Sequence, residues 1–334
     1  MRKKAIRAAV FFCLAAILIH GLNRILCMKS PHGVDQARCL YYQPRNKIDV
    51  LFLGSSHVHC NVSTQILWEE HGMAAYLLTG AEQPIWNSYH YLVEALKTQK
   101  PKLVVLDMFC PARFYEDYQE KWLDQNLDGM RLSLNKYEAV KASTEVDRAN
   151  FFLGFTKYHS RYDGLTAADF RNFVWNQNQQ AKWKGYTPLI THAQLTEPDM
   201  SHVTGEREMT EKSRLYFNKI VELTEKEGIA LALVSAPYLL EEEDQKVYNH
   251  IARLAEEKGL LFLNYNTTQH YREMGMDFGT DFADHAHLNE VGSSKYTEHL
   301  GQWLSDHYEI PDRRGQKGYE SWESQIYYEE ESAP

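Results

Sequence analysis

The chain has 334 residues, of which 44% are hydrophobic and 24% are charged, and this balance excludes a disordered, collagen-like or disulfide-scaffold protein. Acidic residues outnumber basic ones by 45 to 36, whereas a nucleic-acid binder normally carries a basic excess. The mean hydropathy of −0.51 excludes a multi-span membrane protein but is compatible with a single span.

The N-terminus combines a basic flank with an uncharged apolar run over residues 8–19. This is the pattern of a secretory signal, but no small-x-small cleavage site follows, and Cys27 lacks the preceding small residue of a lipoprotein signal. We therefore predict an uncleaved signal-anchor over residues 1–28, with a cleaved signal peptide as the alternative. A buried core helix fits the terminal position and the basic flank poorly. The basic flank predicts a single-pass cell-membrane protein with a cytoplasmic N-terminus and an extracytoplasmic domain.

Short apolar runs alternate with segments of helical spacing through much of the remaining chain. Strands are predicted at Asp49–Gly54, Ala74–Leu78, Lys102–Asp107, Ile229–Ser235 and Leu260–Asn264. Helices are predicted at Pro84–Thr98, Thr210–Glu227, Glu241–Lys258 and Asn289–Leu304. Nearly continuous apolar strands are typical of a parallel sheet that is buried on both faces. We therefore predict an α/β domain over residues 48–305, preceded by a linker at 29–47.

Residues 109–205 interrupt this alternation and are rich in aromatic and polar side chains. We interpret them as a helical insertion over the sheet edge, where insertions commonly shape a substrate site. Alternatively, the aromatic residues of this stretch, among them Phe114, Tyr115 and Trp175, fill only its own core. Residues 306–334 are polar and acidic and are predicted to form a loose tail.

Within the insertion, the segment Lys157-Tyr-His159-Ser-Arg161 places a histidine and an arginine two residues apart. If the segment is extended, both side chains point to one face. His159 and Arg161 are therefore candidates for contacts with an anionic or carbohydrate substrate. A structural salt bridge within the insertion is an equally good interpretation.

Two short segments carry residue types suited to nucleophilic catalysis. The first predicted strand ends in Gly54-Ser55-Ser56-His57, and a serine at the carboxyl end of a buried strand, near helix amides, is well placed to attack a substrate. Alone this is a weak signal, because serine and glycine also cap helices. Far downstream, Asp284 and His287 stand in a DxxH spacing. A serine nucleophile needs a base that a carboxylate orients, and one tight turn can supply both.

Together these segments resemble the SGNH/GDSL hydrolase superfamily, whose fold is a three-layer α/β/α sandwich with a parallel, flavodoxin-like sheet. The resemblance covers roughly residues 48 to 305 and implies that Ser56 is the nucleophile, Asp284 the orienting carboxylate and His287 the base. The string Leu53–His57, the N-terminal anchor and the DxxHLN segment are most similar to a membrane-anchored bacterial branch. That branch includes a D-alanyl-lipoteichoic acid transfer protein and SGNH-type polysaccharide O-acetylation proteins.

The sequence departs from the family pattern in two places. Ser55 stands where many members have aspartate, and the third predicted strand ends in Leu106-Asp107-Met108, without the asparagine of the family's GxND block. That asparagine contributes to the oxyanion hole in the family, so other donors must replace it. The expected donors are the backbone amides of Ser56 and Gly80 and the side chains of Gln83 and Asn87.

Histidines and cysteines offer two further interpretations. A zinc site could involve His57, His59, His285 and His287. Their spacing lacks a strong second cluster, so we predict no metal and no cofactor, and we expect His57 to lie in or beside the substrate pocket. Cys60 and Cys110 could pair in an exported protein, but unpaired buried thiols are the favoured interpretation.

The residues and the resemblance favour an extracytoplasmic serine esterase or O-acyltransferase that acts on cell-envelope glycans or polymers through an acyl-enzyme on Ser56. The resemblance implies a polysaccharide or teichoic-acid-like acceptor and a membrane-bound O-acyltransferase as partners. One alternative is a non-catalytic envelope scaffold or glycan-binding protein of the same fold. The missing asparagine favours it, and the intact Ser, His and Asp disfavour it. A cytoplasmic lipase-like enzyme would require a buried N-terminal segment.

Overall fold

A computed structural model describes residues 2–28, 30–113, 120–167, 169–170 and 183–324. The strands are β1 (Val50–Gly54), β2 (Ala75–Thr79), β3 (Leu103–Asp107), β4 (Ala230–Ser235) and β5 (Leu261–Asn264). They form one sheet in the order β2-β1-β3-β4-β5, and every neighbouring pair is parallel. Each predicted strand is present, because a continuous apolar run can be buried on both faces of a central sheet.

Helices account for most of the other regular structure in the described residues. They are α1 (Arg2–Ile25), α2 (Gln36–Leu40), α3 (Ser56–His59), α4 (Thr64–His71), α5 (Ile85–Leu96), α6 (Phe109–Arg113), α7 (Leu123–Leu127), α8 (Leu134–Ser143), α9 (Gly154–Lys157), α10 (Glu211–Glu227), α11 (Glu242–Glu257), α12 (Thr268–Met274), α13 (Glu290–His307) and α14 (Glu320–Glu323). Short single turns lie at Pro31–Asp35, Glu120–Trp122, Arg148–Phe151 and His159–Gly164.

The sheet lies between two layers of helices. Side chains alternate along a strand, so Leu51 and Leu53 of β1 enter a core shared with α5, α10 and α11. Val50 and Phe52 enter the opposite core, which includes residues of α4, α12 and α13. This three-layer α/β/α arrangement around a parallel sheet confirms the predicted fold class.

Helix ends follow local signals in the sequence. The hydroxyl of Thr210 accepts from the amide of Ser213 and so caps α10, which ends at Gly228 in the left-handed conformation with φ of 68°. Asn289 caps α13 by accepting from the amides of Val291 and Gly292. Both helices were predicted, as was the role of Gly228 at the end of α10.

Residues 30–47 belong to the domain and do not form the expected linker. The side chains of Val34 and Cys39 have no exposed surface. Gln36 donates to the carbonyl of Gly185 at 2.6 Å and accepts, through its own carbonyl, from the hydroxyl of Tyr76 at 2.6 Å. The segment packs against β2, which is an edge strand of the sheet. Its few apolar residues are buried there, and so the segment is part of the domain.

The expectation of a loose C-terminal tail is wrong for residues 306–324. Trp322 is 1% exposed, and its indole donates to the carbonyl of Ala75 at 3.0 Å. Arg313 forms a two-pronged ion pair with Asp49, with N–O distances of 2.8 and 2.9 Å. Aromatic burial therefore outweighs the acidic composition on which the expectation relied. Residues 325–334 lie outside the described residues.

The stretch 109–205 contributes helices α6 to α9 between β3 and β4. Its later part reaches the outer edge of the sheet, where the carbonyl of Lys184 accepts from the amide of Leu77 at 2.8 Å. Phe109, Phe151 and Tyr186 are buried in the two cores of the domain. The predicted insertion residues Phe114, Tyr115 and Trp175 lie outside the described residues.

Helix α1 has no buried residue and is long and apolar enough to cross a membrane. An uncleaved anchor and a signal sequence share this property. At its carboxyl end, the side chain of Asn23 accepts from the amide of Phe155 at 2.8 Å, so the helix contacts the domain at α9. The Cys60 and Cys110 thiols are buried and free.

Candidate active site

The turn after β1 presents Ser56 at the carboxyl edge of the sheet. Gly54 passes so close to β3 that a Cβ there would lie 2.4 Å from Cβ of Asp107. The Ser55 hydroxyl accepts from the amide of His57 at 3.3 Å, which caps α3 and leaves Ser56 as the first residue of that helix. The strand, the glycine and the cap together fix where the Ser56 hydroxyl points.

Three residues predicted as a catalytic set form one chain of hydrogen bonds. The hydroxyl oxygen of Ser56 lies 2.8 Å from Nε2 of His287. Nδ1 of His287 lies 3.0 Å from each carboxylate oxygen of Asp284. The fold thus brings together residues from the two ends of the domain in the order that a serine nucleophile, its base and an orienting carboxylate require.

The turn from Asp284 to His287 is held by the carboxylate itself. Oδ1 of Asp284 accepts from the amides of Ala286 at 2.7 Å and His287 at 3.0 Å. Burial raises the pKa of Asp284, but these hydrogen bonds and the nearby imidazole outweigh it and bring the pKa to about 2. Asp284 is therefore ionised at neutral pH and favours a proton on Nδ1 of His287. Nε2 is then left to accept from Ser56.

Asn61 connects the two halves of the site, and sequence reasoning missed it. Its side chain has no exposed surface, and Oδ1 accepts from the amide of Leu288 at 3.0 Å. Its carbonyl accepts from the hydroxyl of Ser293 at 3.1 Å. Asn61 follows α3 closely in the chain, so these bonds fix the position of His287 relative to Ser56. An isolated asparagine gives no sequence signal for such a role.

Asp107 is a second residue that sequence reasoning missed. It ends β3, is buried, and accepts from the hydroxyl of Ser55 at 3.2 Å and from the amide of Phe109 at 3.2 Å. Burial raises the pKa of Asp107 to about 7. Its one sequence signal is a carboxylate at the end of a buried strand. That signal does not reveal which strand will lie beside it.

The expected oxyanion donors occupy different surroundings. The amide of Ser56 lies at the N-terminus of α3, and the amide of Gly80 donates to the carbonyl of Gly54 in a long bond of 3.4 Å. The side-chain amide of Gln83 donates to Ser88 at 3.0 Å. Oδ1 of Asn87 accepts from Ser143 at 2.9 Å in the packing of α5 against α8. An oxyanion role for any of these four residues stays a prediction.

His57 lies directly behind the site. It is 1% exposed, stacks on Phe109 with 3.4 Å between ring centroids, and lies 5.5 Å from the ring of His287. Within the described residues neither of its ring nitrogens has a hydrogen-bond partner. Burial, followed by the charge of His287, lowers its pKa well below the usual value. His57 is thus a neutral, buried neighbour of His287, and a role for it in a substrate pocket stays a prediction.

Two more histidines lie near His287. The rings of His32 and His59 stack with 4.7 Å between their centroids. Nδ1 of His59 lies 3.0 Å from the hydroxyl oxygen of Thr79. Burial lowers the pKa of both imidazoles, and His287 lowers each of them further. In the part of the chain that the structure describes, no group of three or more His, Cys, Asp or Glu is arranged to hold a metal ion. His32 was missed because its sequence position suggested a linker.

The other predicted pocket residues lie at the junction with α1. Arg161 donates to the carbonyl of Cys27 and forms an ion pair with Asp169 at 3.5 Å. Nδ1 of the exposed His159 lies 2.7 Å from the carbonyl of Thr156. These contacts fit the structural interpretation of the segment. For His285, the carbonyl accepts from the amide of Leu239 at 2.9 Å, which holds the loop of the DxxH turn.

No protein-family model and no curated protein matches the sequence. Among solved structures, the chain is similar to a candidate acylhydrolase from Bacteroides fragilis NCTC 9343, with 10% sequence identity and a TM-score of 0.41. The similarity covers 81% of this chain and 94% of the other. We therefore assign the fold from the order of the strands in the sheet, and we describe the site from its own hydrogen bonds.

Proposed function

We propose that the protein is an extracytoplasmic serine esterase or O-acyltransferase that acts on cell-envelope glycans or polymers. One observation carries the proposal, the unbroken chain of hydrogen bonds from Ser56 through His287 to Asp284. A serine hydroxyl is a weak nucleophile until a base accepts its proton, and this chain provides that base in the required tautomer.

The proposed reaction begins when Oγ of Ser56 attacks an acyl carbonyl and its proton moves to Nε2 of His287. The ionised Asp284 stabilises the imidazolium, and the backbone amides of Ser56 and Gly80 are the proposed donors to the developing oxyanion. As the ester bond of the donor breaks, the imidazolium returns the proton to the departing oxygen. The acyl group remains on Ser56 as an ester, and a hydroxyl of the acceptor or water releases it by the reverse sequence of proton transfers.

The proposed location follows from the charge around α1, and the proposed partners follow from that location and from the family resemblance. The basic flank of α1 favours a cytoplasmic N-terminus, which places the domain outside the membrane. An extracytoplasmic transferase has no cytosolic acyl-CoA, so its donor must cross the membrane. By the family resemblance, a membrane-bound O-acyltransferase would supply the acyl group, and a polysaccharide or teichoic-acid-like polymer would accept it.

A second candidate is a non-catalytic scaffold or glycan-binding protein with the same fold. The observation in its favour is that β3 ends in Asp107, which is bonded to Ser55, where the family supplies an oxyanion asparagine. A pure scaffold, however, has no physical need for the aligned Ser56 and His287.

The proposal is tested by the ester content of the cell envelope. Cells that carry Ser56→Ala in place of the parent chain should have an altered content of envelope acetyl or alanyl esters, lower than in the parent if the protein is a transferase and higher if it is an esterase. Cells that carry Ser294→Ala, an alteration of a partly exposed serine on α13, should keep the content of the parent. Equal ester content in all three strains would contradict an envelope substrate.

A further inference from the structure

Exposed apolar side chains gather around the carboxyl end of α1. The apolar patch consists of Tyr42, Leu132, Leu134, Tyr137, Leu153 and Tyr162. Their exposed fractions run from 44% for Leu153 to 85% for Leu134. Single exposed apolar residues are ordinary, but a set that gathers at one place marks an interaction surface.

Tyr42, Leu153 and Tyr162 lie close to the end of α1. Tyr42 contacts the helix itself, and the other two are neighbours in sequence of residues that form contacts there. The guanidinium of Arg24 donates to the hydroxyl of Tyr42 at 3.3 Å. The side chain of Asn23 accepts from the amide of Phe155, which lies two residues after Leu153. Arg161, which precedes Tyr162, donates to the carbonyl of Cys27.

The other three patch residues come from α8 and the turn before it. Arg131, which precedes Leu132, lies 4.1 Å above the ring of Tyr41, next to Tyr42. Tyr137 packs its ring 6.3 Å from that of Phe152, which precedes Leu153. Leu134 and Tyr137 lie three residues apart on α8 and so share a face of that helix. These contacts link the patch to the end of α1, directly or through a neighbouring residue.

We propose that the apolar patch lies in the interfacial layer of the membrane that α1 crosses. This rests on the proposed membrane anchoring by α1. Lipid is the occupant because the residues around the patch contact the end of α1, a helix that is apolar enough to cross a membrane and has no buried residue. Three of its six members are tyrosines, whose rings favour the membrane–water interface, and the neighbouring Arg24 and Arg131 suit the headgroup layer.

Membrane contact at the patch would fix the distance between the membrane and the candidate site. His32 stacks on His59 of α3, the helix that begins with Ser56, and it lies only seven residues after the last residue of α1. Seven residues span at most about 25 Å when fully extended. The patch would then stop the domain from tilting about this short connection, so that Ser56 works at a set height above the lipid.

The test is a depth measurement on the full-length chain in vesicles of phosphatidylethanolamine and phosphatidylglycerol. A Cys13→Ala background leaves only buried thiols, and a nitroxide is attached at Leu134→Cys or Leu153→Cys. The matched control is Leu261→Cys, which is 42% exposed at β5, the opposite edge of the sheet from β2. Ile17→Cys within α1 reports on the anchor itself. The measurement is the ratio of collision rates with oxygen, which concentrates in lipid, and with a water-soluble nickel chelate.

We expect a severalfold higher oxygen-to-nickel ratio at positions 134 and 153 than at 261, and the highest ratio at 17. Equal ratios at 134, 153 and 261 would overturn the proposal while leaving the anchor intact. Protection of 134 and 153 from both reagents would also overturn it, since a protein and not lipid would then cover the patch. A water-exposed label at position 17 would remove the anchor and the proposal together, and Ser56 chemistry would be unaffected.

Discussion

The hydroxyl of Ser55 donates to Oδ2 of Asp107 across 3.2 Å, which joins the ends of strands β1 and β3 directly behind Ser56. The end of β3 thus supplies a buried carboxylate to the residue that precedes Ser56. The same carboxylate accepts from the amide of Phe109, so it also fixes the chain that leaves β3.

The first prediction concerns the stability of an Asp107→Asn variant. Burial raises the pKa of Asp107 to about 7, whereas in the unfolded chain its pKa should be about 3.9. Between these values the folded protein retains a proton that the unfolded chain has lost, so this group lowers the free energy of unfolding as the pH rises. Asparagine removes the effect, and urea unfolding at pH 5 and pH 8 measures it. The difference in the free energy of unfolding between variant and parent should be more favourable to the variant at pH 8 than at pH 5. The same difference at both pH values would contradict the raised pKa.

The second prediction concerns His57→Phe and has the opposite sign. Burial lowers the pKa of His57 well below its usual value. As the pH falls below about 6.5, the unfolded chain gains a proton that the folded state refuses, and stability is lost. Phenylalanine should keep the stack on Phe109 and remove this loss. Relative to the parent, it should therefore be more stable at pH 5 than at pH 8.

The matched control for His57→Phe is His202→Phe, at a side chain that is 61% exposed. It separates the ring substitution from the loss of a buried imidazole. If both variants show the same pH dependence of urea unfolding, the buried position of His57 has no role in acid sensitivity.

The third prediction tests the packing of residues 306–324. Trp322→Ala should lower the free energy of unfolding by about 3–5 kcal/mol, because it removes a buried ring from the core and leaves a cavity. Ile190→Ala, at a residue that is 68% exposed, should stay within about 0.5 kcal/mol of the parent. A melting temperature that does not change with Trp322→Ala would mean that this segment is loose after all.

The fourth prediction separates orientation from folding in the DxxH turn. Asp284→Asn keeps an oxygen for the amides of Ala286 and His287, so the turn should fold as before. It loses the charge that stabilises the imidazolium and the tautomer that the reaction requires. Ester hydrolysis should fall on the order of 10³–10⁴-fold, with little change in melting temperature. A large fall in melting temperature would make the role of Asp284 structural.

Much of the fold followed from local pattern. Each strand is a continuous apolar run, and helix α10 lies between a capping threonine and a glycine, so neighbouring residues carry the information. The set of Ser56, Asp284 and His287 was predictable because two short segments contain it, one at the end of a buried strand and one with the DxxH spacing. Local pattern was misleading at residues 30–47 and near the C-terminus. The scattered apolar residues of the first segment, and Tyr319 and Trp322 in the second, show no periodic spacing in the sequence, yet they are buried in the domain.

The missed residues depend on which segments become neighbours. Asp107 acquires its partner only when β3 pairs beside β1, and Asn61 only when the DxxH turn reaches the end of α3. His32 meets His59 only because the segment after α1 folds back onto the domain. Such contacts between distant segments leave no spacing rule in the sequence.

The most direct measurement is covalent labelling of the full-length chain in detergent by a fluorophosphonate probe, read by mass spectrometry of the modified peptide. We expect the label on Ser56 in the parent and in Ser294→Ala, none in Ser56→Ala, and slower labelling in Asp284→Asn. Because the probe replaces the acyl donor, the result does not depend on knowing the natural substrate or acceptor. Labelling of the parent no greater than that of Ser56→Ala would contradict the assignment of Ser56 as an activated nucleophile.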